Sequence, residues 1–106
     1  MSAMFSVMYP NTPGPKFDVD YYLGAHAKLV GDRCRDHGLV GVTIQKGVAT
    51  PDPDTPAPYQ VIAQVEFETM EAMQAALADT AEEIMGDIPN FTDATPVVRI
   101  SEKLGR

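Results

Sequence analysis

Tryptophan is absent from this chain and cysteine occurs once, at Cys34. A lone cysteine closes no internal disulfide, and without a CxxC pair there is no zinc knuckle, so neither device is expected to hold the fold. Positive charge is scarce: 8 Lys and Arg face 15 Asp and Glu, a formal charge of −7. Such a chain, with no local cluster of Lys or Arg, is repelled by nucleic-acid phosphates and anionic lipid head groups, which argues against both as partners. No stretch approaches the roughly 20 apolar residues that span a bilayer. The opening segment from Met1 to Met8 lacks the basic residues and apolar length of a secretion signal, so the expected location is the reduced cytoplasm. GxSxG, HExxH, phosphate-loop and dinucleotide signatures are missing too, and neither a metal nor a cofactor is expected.

What is present suits one globular domain over residues 1–106, with 44% apolar and 22% charged residues and room for one modest core. Met4 to Tyr9 reads as a strand, ended by a proline-rich loop in which Pro13-Gly14 suits a turn. Asp18 is a good N-cap for a helix running to about Asp36, and Gly38 can close it in the left-handed conformation. Val40 to Ala49 reads as a second strand. Thr50 to Pro58, with four prolines, reads as an extended, solvated connector. Tyr59 to Phe67 alternates as a third strand, with Val61, Ala63, Val65 and Phe67 on one face. Thr69 caps a second helix to about Met85, whose apolar stripe is Met70, Met73, Leu77, Ala81 and Ile84. Glu82, Glu83 and Asp87 make its exit acidic, against the helix dipole. Pro96 to Glu102 supplies the last strand.

Strand, helix, strand, strand, helix, strand gives a ferredoxin-like βαββαβ domain of the α+β class: a four-stranded antiparallel sheet with both helices on one face. Phe5, Val7, Val42, Ile44, Val61, Ala63, Val65, Val98 and Ile100 are expected under the helices. The opposite face keeps Met4, Ser6, Met8, Thr43, Gln45, Ile62, Gln64, Val97 and Arg99, little charge for a solvated surface. Two such faces stacked about 10 Å apart would make a barrel-like homodimer.

The first helix carries the candidate chemistry. At about 100° per residue, Leu29, Tyr22, Arg33, His26, Val19, Val30, Leu23, Cys34 and Ala27 fall on one side, with His26 near its middle. Tyr22, four residues earlier, is its neighbour. A buried imidazole left unsatisfied costs roughly 1–3 kcal/mol, so leucine would have served a purely structural helix better. His26 is a candidate base, since imidazole titrates closest to neutrality; it also reads as a core histidine satisfied by a carbonyl or by Tyr22. Tyr22 could hold a substrate oxygen, or pack as a core aromatic with a bonded tip.

The element order, Tyr9-Pro10, Pro13-Gly14, Phe17-Asp18-Val19-Asp20-Tyr21-Tyr22-Leu23, His26 and Leu29-Val30, with Phe67-Glu68-Thr69-Met70-Glu71-Ala72-Met73 later, resemble the EthD family over nearly the whole chain. Lys28 stands where the family often has proline, a change on the helix's outer side. The resemblance implies a dimeric α+β barrel and a cleft between the first helix and the sheet, with His26 in it. With the histidine so placed, His26 and Tyr22 are the catalytic candidates, and Tyr9, Tyr21, Leu29, Phe67 and Phe91 the candidates for contact with a small hydrophobic ligand. The wheel turns Tyr21 toward Lys28 and Asp32, favouring solvent or a dimer partner over the cleft, and Tyr9 is read first as packing.

Cys34 and His37 are three apart, but a buried, inert thiol is the simpler reading. His26 and His37 lie about 16 Å apart along the helix and cannot share a metal. Gln64, Glu66 and Arg99 read as dimer contacts. The expected function is cofactor-free proton transfer (isomerase, cyclase or decarboxylase type) on a small hydrophobic oxo or aromatic compound. The alternative is a non-catalytic accessory or ligand-binding protein of a degradation pathway. A cofactor-free monooxygenase is a weaker alternative, without tryptophan or an evident oxygen-activating trio.

Overall fold

Alternation in the strands and capping residues at the helices decide most of the architecture. The computed structural model describes residues 2–11 and 16–104; the Pro13-Gly14 turn lies outside them. Strands β1 (Ala3–Pro10), β2 (Leu39–Lys46), β3 (Tyr59–Phe67) and β4 (Val97–Glu102) form one sheet in the order β2-β3-β1-β4. Every pairing is antiparallel. The first helical run comprises α1 (Val19–Tyr21), a π turn (Tyr22–His26) and α2 (Ala27–Cys34), closed by a 3-10 turn at Arg35–His37. The second helix, α3 (Met70–Gly86), leads into a 3-10 turn at Ile88–Asn90. This is the ferredoxin-like arrangement.

The caps are where the sequence places them. Asp18 accepts from the Tyr21 amide at 3.1 Å and Thr69 from the Ala72 amide at 3.0 Å. Gly38 takes φ +79°, a region that costs other L-residues about 1–2 kcal/mol. Gly47 is required by space: a Cβ there would collide with the Tyr59 carbonyl oxygen. Gly47→Ala is therefore expected to destabilise the protein by about 1–3 kcal/mol, which thermal melting would register.

Phe5 joins two core clusters. One gathers Phe67, Cys34, Met73 and Ala76 at one end of the sheet; the other gathers Tyr9, Tyr22, Ile88 and Phe91 at the opposite end.

Four details differ from the sequence reading. Val19, Leu23 and Arg33 are exposed, because the buried line of the first run is Tyr22, His26, Val30 and Cys34, spaced by four. Four-residue steps drift by about 40° each on a regular helix; the π turn, in which the Ala27 amide donates to the Tyr22 carbonyl, reduces that drift. In α3 the deepest residues are Met73, Ala76 and Thr80, while Leu77, Ala81 and Ile84 turn toward a cavity. Val98 and Ile100 share the helix-side face with Val7 and Phe5 by register, yet are 41% and 52% exposed, since the helices do not reach over β4. The proline connector has no strand or helix, but it is a bonded turn rather than an extended one: Thr50 Oγ1 lies 2.8 Å from both the Asp52 and the Thr55 carbonyl oxygens, its one proton serving either, and Thr55 Oγ1 donates to the Asp52 carboxylate.

Candidate active site

The two helical ends at the Tyr9 side of the sheet are drawn together by backbone. The Asp18 amide donates to the Phe91 carbonyl at 2.7 Å, and Phe17 bridges to Thr92. This seats the C-terminus of α3 beside the π turn. Asp87, the C-cap of α3, accordingly faces His26.

His26 is 5% exposed. Its ring stacks on Tyr22 at 5.5 Å between centroids and lies 4.7 Å from Phe91 at a tilt of 57°. Nδ1 is 2.9 Å from Asp87 Oδ2. The other carboxylate oxygen accepts from the Tyr21 hydroxyl at 2.6 Å and from Asn90 Nδ2 at 2.8 Å. Burial pushes the Asp87 carboxyl upward, but the hydrogen bonds from Tyr21, Asn90 and His26 prevail and hold it below its ordinary value. A carboxylate only accepts, so Nδ1 carries the proton. With the ring neutral, that leaves Nε2 with a lone pair and no protein partner among the described residues. In that form the dyad presents a base, not a donor, at its free edge.

His26 lines a cavity of about 50 Å³ between the helices and the sheet. Tyr22 and Tyr9 line it at the same end, with their rings 5.8 Å apart. Burial pushes the Tyr22 phenol up to about 12 despite the neighbouring Tyr9 hydroxyl. Burial, and then the Tyr22 phenol, push Tyr9 up as well. Both remain neutral hydroxyls near neutral pH, suited to donate hydrogen bonds. The remaining walls, including Phe5, Val7, Val30 and Ile44, are hydrocarbon apart from the Cys34 thiol and the Met85 thioether.

Comparison with known proteins identifies the family. The sequence matches the EthD domain family over residues 14–95. The chain belongs to the EthD family. An EthD-like protein from Ralstonia eutropha JMP134 shares 33% identity, with 98% of this chain and 93% of that one covered and a TM-score of 0.88. An ethyl tert-butyl ether degradation family protein from Bacillus halodurans C-125 shares 18%, covering 98% and 100%, at 0.74. SnoaB from Streptomyces nogalater, described as a cofactor-independent oxygenase, shares the fold at 13% identity (mutant N63A), covering 99% and 95%, at 0.65. No functionally curated protein matches the sequence.

Of the residues singled out from sequence, the EthD domain brings His26, Tyr22, Tyr9 and Phe67 to the cavity wall. Phe91 backs His26 without lining the cavity. Tyr21 and Leu29 do not line it; Tyr21 binds Asp87 and stacks on Phe91. Asp87 and Asn90 were not legible as site residues. The one signal was an acidic helix exit that contradicts the dipole, and such local contradictions gather at functional sites.

Burial raises the Cys34 thiol, although Thr80 opposes it, which fits an inert thiol. His37 pairs with Asp79 at 3.2 Å, outside the cavity. On the outer face of the sheet, Gln64 and Arg99 flank Ser6, and Glu66 lies 3.7 Å from Lys103. Among the described residues no helix is long and apolar enough to cross a membrane, and no cluster of three His, Cys, Asp or Glu could hold a metal.

Proposed function

We propose that this EthD domain is a cofactor-free enzyme that moves a proton on a small, uncharged oxo compound, in the cytoplasm. His26 is the base and Tyr22 the donor to the substrate oxygen. The observation that carries the reading is His26 Nδ1 anchored on Asp87 at 2.9 Å, with the ring lining a cavity shared with two neutral phenols.

Nε2 takes the proton from the carbon next to the carbonyl. The C–H electron pair becomes the enol double bond, and the carbonyl pair moves onto oxygen, where Tyr22 O–H donates to it. Asp87 faces the imidazolium so formed. Return of the proton to another carbon completes an isomerisation. A cyclisation would pass through the same enolate, whereas a decarboxylation would form its enolate by losing CO2 from a carboxylate and would not draw on the base. The cavity favours an oxo compound over a bare aromatic ring, because a hydrocarbon ring would offer the buried Tyr22 hydroxyl no acceptor.

Deuterium exchange into pentane-2,4-dione, followed by proton NMR, tests this without knowledge of the natural substrate. Tyr22→Phe is expected to slow enzyme-dependent exchange by about 10²–10³-fold with melting behaviour kept. Undiminished exchange in that variant contradicts the role of Tyr22. The hydrocarbon walls favour a second reading, a binding protein in which the dyad braces the core; ligand binding without any catalysed exchange would select it. The monooxygenase reading draws on fold alone.

A second copy of the chain covering the outer face belongs to the same proposal. Met4, Met8 and Ile62 give that face apolar, partly buried surface, and Ser6 Oγ is enclosed there without a partner among the described residues. Sedimentation as a dimer at micromolar concentration is the expected result; a monomer would refute it.

A further inference from the structure

The cavity is small, yet its walls run the length of the sheet. Phe67 is in register with Ala3, and Tyr9 lies six residues further along β1, a distance of about 20 Å. On the helix side the walls extend from Tyr22 to Cys34. About 50 Å³ drawn out between such limits is a slot rather than a chamber.

The slot is also asymmetric. Its strong hydrogen-bonding groups, Tyr9, Tyr22 and His26, are at one end. The opposite end, by Cys34, Phe67 and Leu77, is apolar but for a weakly polar thiol. Among the described residues neither Lys nor Arg lines it, and the Asp87 carboxylate lies just behind His26. A carboxylate or phosphate head would find no countercharge there, while a neutral carbonyl would find donors.

We infer that the ligand is an amphiphile with an uncharged oxo head between Tyr9, Tyr22 and His26 and an unbranched alkyl tail lying along the slot toward Cys34 and Phe67. This rests on the proposed reading for the head group and extends it to the substrate class: slim aliphatic ketones and related compounds, rather than compact rings or branched molecules. From His26 to Cys34 the wall covers eight residues of helix, about 12 Å, so the tail takes up most of the binding surface.

Binding of methyl n-alkyl ketones, from butanone to undecanone, tests the inference by calorimetry and requires no turnover. Affinity is expected to rise about fourfold for each methylene buried, until the chain passes Cys34 and Phe67. Hexan-2-one is expected to bind at least about tenfold more tightly than its branched isomer pinacolone, and heptan-2-one at least about tenfold more tightly than heptanoate, which carries the unmatched charge. Cys34→Leu fills the far end and should stop the gain at a shorter chain; Leu77→Ala widens it and should let pinacolone approach hexan-2-one. The two variants move in opposite directions, so a folding defect in one leaves the other to decide.

A flat response to chain length, or equal binding of the two isomers, overturns the slot while leaving the proton-transfer reading intact. Equal binding of heptanoate overturns the uncharged head. If the chain-length series holds but no variant of His26 affects exchange, the slot stands and the catalytic reading falls.

Discussion

His26→Asn is expected to lower catalysed deuterium exchange by about 10²–10⁴-fold, the usual contribution of a positioned general base. The asparagine amide nitrogen falls where Nδ1 does and can donate to Asp87, so the carboxylate remains satisfied. The variant lacks the second ring nitrogen, with its lone pair at the cavity edge. This separates chemistry from packing better than alanine would: His26 touches Tyr22 and Phe91, and full truncation would leave both rings beside a larger void and orphan Asp87 as well. Exchange equal to wild type in the asparagine variant would mean that the imidazole braces the fold and nothing more.

Asp87→Asn should be nearly as damaging to exchange, by about 10²-fold or more, through the proton on the ring. An amide turned so that its nitrogen replaces Oδ2 presents a donor to Nδ1, and Nδ1 must then accept. The proton moves to Nε2, and the base at the cavity becomes a donor, the wrong tautomer that disables an oriented histidine elsewhere. Asp87→Ala adds a stability cost of about 1–3 kcal/mol, because it orphans Tyr21, Asn90 and His26 together.

The pH dependence follows from the same bonds. The Asp87 carboxyl is held below its ordinary value in the folded protein, so its contribution to stability is fully present above the unfolded carboxylate pKa, near 4. It is lost as pH falls through the lower folded value. Acid unfolding of Asp87→Asn should therefore be shallower below about pH 4 than that of wild type. Parallel acid-unfolding curves would show that the carboxylate is not held as described.

The sequence specified the fold more fully than the site. Strand alternation, the two N-caps at Asp18 and Thr69 and the glycine after His37 are local signals, and each holds in three dimensions. Tyr22 and His26 were readable as a pair because four residues on a helix make neighbours. The π turn was not, since no residue type announces it, and the exposure of Val19 and Leu23 follows from it. Asp87 is 61 residues from His26, and only the docking of Phe91 and Ile88 among the aromatic rings brings it there. Nothing in a helix periodicity encodes such a contact. Val98 and Ile100 show the converse: their pattern says core, but pattern does not say how far the helices extend across a sheet.

Long-range proton–nitrogen NMR of the imidazole bears most directly on the role of His26. With uniformly labelled protein at mildly alkaline pH, the expected spectrum has the proton on Nδ1 and a lone pair on Nε2, whose nitrogen resonance shifts when hexan-2-one is added. A proton resident on Nε2, or a ring whose nitrogen signals ignore the ketone at saturation, would contradict it.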